Sequence, residues 1–498
     1  MEAEPGKTRG GVPAALHRAR HPNREHMERL SRRVPYWFVV VALFGFASFQ
    51  IWMNPFGFSD LVQRYAQDIS ELLITGPYLY PTTGRDQVSV ALIDEDTLHA
   101  LEMPWPWTYG QHARALEALR AYKPKAVIVD FLFVDMRPDN TLPELIEEIH
   151  RYREARIPLY FEGGIELPFG EYPLRPELAA TGVPVLDPSI LIYDGVARQY
   201  PIEGRCFGAK AKGGAPCKSL ALQAYSDLYP EHRLAPLNGR MELVWGTRTN
   251  PTNAKWLRLS GNDGQKYSCD RSIGGLRRIY LAFFDTSQVR SLCPYSNEVP
   301  VQSLLMGTDD PDFPKLVPGH VILYGASLQG AQDRSYTPVN GLMPNVFVHA
   351  MALDNLITFG GRPQQNVVSI GAVTLESNPV QILAVLPVIL ILSWFHLRGI
   401  RRKRRAAPDG ERDRGAAFEY FLEKTAEKIW HWFALALALG AGLILTLAAG
   451  LSVANWVEVV FVSAELAALL LVGAPDAFWG YLHHVAGGDP QTKGDVST

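Results

Sequence analysis

Four stretches of this chain are long, apolar and nearly free of charge: Val34–Met53, Pro379–Leu397, Trp430–Gly450 and Val453–Val472. Each approaches the ~20 residues that a helix needs to cross a bilayer. Between the first and the second the pattern changes to short apolar runs separated by polar joints. Val88–Ile93 is such a run, rich in β-branched residues, and reads as a buried strand. "TYGQ" fits a capping box, with Thr108 as cap and Gln111 three residues on. The helix that follows runs to about Tyr122 and turns Leu116 and Leu119 inward. "AVIVDF", residues 126–131, is a second buried strand.

Strand, helix and strand with short joints predict a parallel, right-handed crossover. Asp94 and Asp130 then stand on one edge of the sheet. Further on, "SILIYDGVARQYPI" predicts a hairpin turning at Asp194-Gly195. "SLALQAY" (219–225) is a helical piece, and "ELVWG" (242–246) and "GHVILYGAS" (319–327) are strands. "NVFVHAMALDNLIT" (345–358) is a helix. Residues 136–182 and 203–215 are rich in Pro and Gly and read as loops or insertions. The fold class expected is an α/β domain with a mostly parallel sheet, joined to α-helical membrane spans, one before it and three after.

Charge sets the orientation of those spans. Residues 1–33 carry eight Lys/Arg against four Asp/Glu, and "RGIRRKRR", residues 398–405, has six basic residues in eight. Basic residues near span ends stay in the cytoplasm. The expected order is a cytoplasmic basic segment 1–33, a span 34–53 acting as an uncleaved signal anchor, and an extracytoplasmic domain 54–378. A span 379–397, a cytoplasmic basic loop 398–429, spans 430–450 and 453–472 and a cytoplasmic tail 473–498 follow. The setting is a bacterial inner membrane. "RGIRRKRR" is also suited to anionic lipid, and nucleic acid is not expected as a partner.

The cysteines agree with that threading. Cys206, Cys217, Cys269 and Cys293 all fall in the exported region. An even count in an oxidising compartment predicts two disulfides, and loop-closure cost favours Cys206–Cys217 and Cys269–Cys293. No CxxC or clustered His accompanies them, so no metal site and no cofactor are expected.

The order of the pieces resembles the class-two CHASE domain, a sensory extracellular module of bacterial cyclases and histidine kinases. The matching segments are "VSVALIDEDTL", "MPWPWTYGQHARALEALRAYKPKAVIVDFLF", "YDGVARQYPI", "VPVQSLLMG", "HVILYGASLQGAQDRSYTPV" and "MPNVFVHAMALDNLIT". Together they cover roughly residues 55–375. Thr108 stands where the family more usually has Arg. Family members often continue into a cyclase or kinase output domain. None is recognised here, so the resemblance implies a sensor that hands its signal to a separate kinase, cyclase or other membrane protein. A homo-oligomer is left open.

Candidate ligand-binding residues gather at the predicted strand ends. Asp130 sits where open α/β sheets bind ligands. Asp94 shares that edge, though the favoured reading is that Asp94 or Asp96 caps the short helix after it. Ser327 and Asp333 flank a Gly-rich loop that could cradle an anion, and that lacks the Gly-Lys-Ser/Thr of a nucleotide loop. His349, on the helix at 345–358, is either a satisfied core residue or a ligand contact. Gly325 and Ala326 could be small because the sheet packs tightly there. Glu458 and Glu465, seven apart in the last span, are candidate intramembrane polar residues. No Gly-x-Ser-x-Gly elbow accompanies Ser327, so the chain is not expected to be an enzyme. The readings carried forward are a transmembrane sensor taking an unknown extracytoplasmic ligand or protein, an envelope scaffold or accessory subunit, and, last, a periplasmic hydrolase.

Overall fold

The computed structural model describes residues 36–53, 58–134, 138–163, 174–205, 217–232, 234, 240–254, 273–307, 311, 313–328, 333–363, 367–370, 373–405 and 434–444, with 456, 459, 460, 462–464 and 466 of a last helical stretch. The chain divides into two compact units. One holds residues 1–63, 377–449 and 455–498; the other holds 64–376 and 450–454.

In the larger unit the apolar runs form a six-stranded sheet. Its strands are β1 (Val88–Asp94), β2 (Ala126–Val129), β3 (Leu159–Glu162), β4 (Val185–Leu186), β8 (Asn297–Pro300) and β9 (Val321–Ser327). β5 (Leu191–Tyr193), β6 (Val196–Pro201) and β7 (Arg240–Glu242) lie between them in sequence; β10 (Arg334–Thr337) and β11 (Gly341–Pro344) follow. The spatial order of the large sheet is β8-β1-β9-β2-β3-β4, and every neighbouring pair is parallel. A parallel sheet covered on both faces needs apolar residues on both faces, which is why its strands read as unbroken hydrophobic runs.

The helices of this unit include α1 (Glu95–Leu101), α2 (Tyr109–Ala121), α3 (Leu142–Glu154), α4 (Leu220–Leu228), α5 (Gly275–Phe284), α6 (Val301–Met306) and α7 (Asn345–Thr358). Alternate strand residues serve opposite layers. Ala91, Ile93, Val127, Val129 and Phe161 pack in one core with Leu116 of α2 and Leu145 of α3. Val90, Leu92, Ile128, Tyr160 and Leu323 pack in the other with Leu222 of α4 and Leu353 of α7. Leu116, Leu222 and Leu353 are essentially fully buried, each worth about 1.5–3 kcal/mol relative to exposure.

Local signals behave as the pattern predicts. Thr108 and Gln111 form a complete capping box at α2. Asp194 and Gly195 both have positive φ, 54° and 76°, the two-residue turn that suits a hairpin, and β5 and β6 pair antiparallel across it. α7 spans the expected residues. β6 belongs to the smaller sheet β11-β10-β6-β5, with β7 also paired to β6.

Two expectations are corrected. The strand expected at 242–246 ends at Glu242. There the Leu243 N–H donates to the Arg198 carbonyl at 2.8 Å, and the Val244 N–H to the Asn355 side chain of α7 at 2.9 Å, so a side chain replaces the ladder. Residues 136–182, read as loop, contain α3 and β3. Pro143 lies in the first turn of α3, where a missing N–H costs nothing, and Pro158 immediately precedes β3. These prolines therefore begin elements rather than interrupt them.

The smaller unit contains the helices Tyr36–Met53 and Ser377–Arg405, which pack against each other. Leu43, Ala47, Val385, Ile389, Val459 and Val462 form its core. No helix of the described residues is long and apolar enough to cross a membrane. Tyr36–Met53, at 18 residues, is about 27 Å long, short of the ~30 Å hydrocarbon thickness. Glu458 and Glu465 lie outside the described residues. So do Cys206 and Cys269. Cys217 and Cys293 are both disulfide-bonded, and no described cysteine is free.

Candidate functional site

The carboxyl ends of the parallel strands form one rim. Asp94 closes β1, Asp130 follows β2, Glu162 closes β3 and Asp187 follows β4. The pairing of Val129 with Phe161 sets Asp130 beside Glu162, one residue further along. Alternation then decides which layer they face. Ile128 and Tyr160 belong to the core under α7, so Asp130 and Glu162, two residues on, point to the same side.

α7 brings His349 to that side. Its approach depends on Gly325 of β9. A Cβ at Gly325 would lie 3.0 Å from Val346 Cβ and 3.1 Å from Asp130 Oδ2. The glycine is there for close packing, as its small neighbours suggested. His349 Nδ1 lies 2.6 Å from the Tyr200 hydroxyl of β6. His349 Nε2 faces Glu162 Oε1 at 3.9 Å, too far for a hydrogen bond. Glu162 Oε1 is buried and has no hydrogen-bond partner. One ligand atom from each of Asp130, Glu162 and His349 lies within 4.8 Å of the other two.

Burial governs the charge states. Glu162, 3% exposed, is held well above the carboxylate range by desolvation first, then by the Asp130 charge and hydrogen bond. Asp130 is also raised by burial, opposed by the hydrogen bond from Glu162 and reinforced by the Asp333 charge. Burial thus favours the protonated form at both carboxyls. Burial pushes His349 down to about 4, so at neutral pH its imidazole is uncharged. Asp333 is raised by burial, partly offset by a hydrogen bond from Asn345; Asn345 Nδ2 donates to its Oδ1 at 2.5 Å.

Of the residues singled out in the sequence, the fold thus gathers Asp130, Asp333 and His349. Asp94 does different work. Its Oδ1 accepts from the Thr97 backbone N–H at 2.7 Å and from the Thr97 hydroxyl at 2.6 Å, capping α1. Ser327 pairs with Asp94 in the sheet register, and its Oγ accepts from Arg334 at 3.2 Å. No hydrogen bond links Ser327 to His349 among the described residues. Trp107 is buried and Trp105 is 40% exposed, a loop folded over Phe131 and His112.

Sequence reasoning missed Glu162, Tyr200 and Glu298. Glu162 lay in a segment read as loop, although the apolar "LYFE" after an amphipathic helix was a usable signal. Tyr200 carried no signal beyond its strand. Glu298 of β8 is pushed up to about 8 by burial and then by the Asp94 charge; it lies in the edge strand, level with Val90 of β1.

A family model described as the CHASE2 domain matches residues 37–392, the larger part of the chain. The chain belongs to the CHASE2 family. The CHASE2 domain is a sensory module, and the match includes both the parallel sheet and every residue of the rim. No curated protein and no solved structure matched the chain.

Proposed function

We propose that this CHASE2 domain is the extracytoplasmic part of a membrane-anchored sensor, which takes a ligand or protein partner at the carboxyl rim of its sheet. The observation that carries the reading is the carboxyl–imidazole cluster of half-buried Asp130 with buried Glu162 and His349. It sits where open α/β sheets bind their ligands. Buried polar groups held in a cleft cost stability and are common at functional sites. Binding there would bias the domain between two states. The apolar stretches at both ends would carry that bias inward to a separate kinase, cyclase or other membrane protein. In this reading the basic segments 1–33 and 398–405 face the cytoplasm, and Cys206–Cys217 and Cys269–Cys293 are the disulfide pairs formed outside it.

One experiment tests export and another tests sensing. A phosphatase reporter joined after residue 200 is active only outside the cytoplasm, and a silent reporter there defeats the topology. A small-molecule screen by thermal shift on the full-length protein should return a ligand whose shift is abolished by Asp130→Asn. If no ligand shifts the protein and a single partner instead co-purifies at fixed stoichiometry, the chain is a scaffold. One observation favours that second reading. α5 leaves Leu276 87% and Phe284 75% exposed, with Tyr280 and Ile279 beside them, an apolar surface of the kind that docks another protein.

A further inference from the structure

We propose that Asp130, Glu162 and His349 hold a divalent transition-metal ion, of which Zn2+ is the natural occupant, with at least one coordination position left open. This departs from the expectation, based on the cysteines, that the chain has no metal site. The three ligands come from β2, β3 and α7, so no local motif announces them.

Geometry carries the proposal. The three ligand atoms lie within 4.8 Å of one another. Ligands at ~2.0–2.1 Å from a tetrahedral Zn2+ stand about 3.3 Å apart. The 3.9 Å between His349 Nε2 and Glu162 Oε1 is that spacing with a few tenths of an ångström to close. It is also too wide for the two atoms to satisfy each other directly. Glu162 Oε1 is an orphan, buried without a hydrogen-bond partner, and it is aimed at the imidazole. A buried carboxyl oxygen left in this way costs ~1–3 kcal/mol, and an ion between the two atoms removes that cost.

The surroundings match what a metal site needs. A metal on Nε2 requires the Nδ1–H to be oriented by an acceptor. Nδ1 lies 2.6 Å from the Tyr200 oxygen. A phenol oxygen can accept from an imidazole N–H, so Tyr200 is placed to orient His349. Gly325 keeps the Asp130 carboxylate from being pushed aside, since a Cβ there would press on its Oδ2. One imidazole and two carboxylates suit Zn2+, Mn2+ or Fe2+, whereas Ca2+ and Mg2+ prefer oxygen alone and Cu+ prefers sulfur. Asp130 keeps partial access to solvent, which gives the ion an entry path and leaves the open position facing the rim.

The test uses the full-length protein in detergent, stripped with EDTA and then exposed to Zn2+ or Co2+ followed by desalting. Metal analysis should find one Zn2+ per chain. Co2+ should give visible d–d bands stronger than those of the aqueous ion, bleached by Zn2+. Glu162→Gln and His349→Gln should each lower affinity at least tenfold. Tyr200→Phe should weaken it 10–100-fold, the usual effect of removing an orienting partner. Asp94→Asn, on the same rim and outside the cluster, should leave it unchanged. Should the two ligand variants fail to fold, the wild-type Co2+ spectrum and Asp130→Asn at the more accessible ligand still decide. The proposal is overturned if the wild type retains no stoichiometric metal, if Co2+ shows only the aqueous spectrum, or if folded ligand variants bind as the wild type does. Metal content is read directly, so the result is independent of export and of signalling.

Discussion

The Tyr200 hydroxyl and His349 Nδ1 are 2.6 Å apart, a contact that ties a strand of the small sheet to the helix lying over the large one. Both side chains are buried, at 0% and 1% exposure. Tyr200→Phe keeps the ring and removes the oxygen. Burial without a partner then costs ~1–3 kcal/mol at the imidazole, measured as a lower denaturation midpoint. A midpoint unchanged in Tyr200→Phe would mean that water replaces the hydroxyl or that the contact contributes nothing.

Gly325→Ala should destabilise the domain by about 1–3 kcal/mol, the usual cost of overpacking. Its new methyl would sit 3.0 Å from the Cβ of Val346, and Val346 is buried at the start of α7. A β-branched side chain fixed to a helix has little room to yield. The same methyl displaces Asp130, so any ligand or metal response at the rim should fall together with stability. A neutral substitution by both measures would show that α7 can slide.

Asp94→Ala should cost ~1 kcal/mol through loss of the α1 cap, and Asp94→Asn or Asp94→Ser should restore most of it. Binding at the Asp130 cluster should be unaffected by either replacement. If Asp94→Asn abolished a ligand response while the midpoint stayed constant, Asp94 would have a recognition role beyond its cap.

Carboxyls raised by burial outside the cluster, Asp354, Glu242, Glu298 and Glu71 among them, make stability fall as pH rises. Burial pushes Asp354 and Glu242 up to about 7, and Glu298 to about 8. The folded state keeps these protons after the unfolded chain, with carboxyl values near 4, has released them. The stabilisation is complete below ~4 and is lost as pH climbs through 7 and 8. Buried His349 and His320, both lowered, act in the opposite sense, but only below the ordinary histidine value of ~6.5. Between pH 6.5 and 8 the carboxyls are unopposed. The thermal midpoint should therefore drop across that interval and flatten above it, and Glu298→Gln should shallow the drop. A midpoint that rises from pH 6.5 to 8 contradicts the assignment.

Much of this molecule was legible in one dimension. The capping box of Thr108 and Gln111, the Asp194-Gly195 turn and α7 each follow from signals among near neighbours, and the β1–α2–β2 crossover from three such signals in succession. Such features are written locally because strand period, cap chemistry and turn dihedrals involve only near neighbours. Asp130, Asp333 and His349 were identifiable as polar residues at strand ends or on an apolar helix. The strand inserted between β1 and β2 is β9, some 190 residues later, and nothing in either run specifies that neighbour. Glu162 and Tyr200 join the cluster through a four-residue strand and a second sheet. Their side chains acquire meaning only when register and alternation bring them to the face of α7. Pairing between distant strands is chosen by the burial of whole faces, a property of the assembled layers, and no short segment of the chain encodes it.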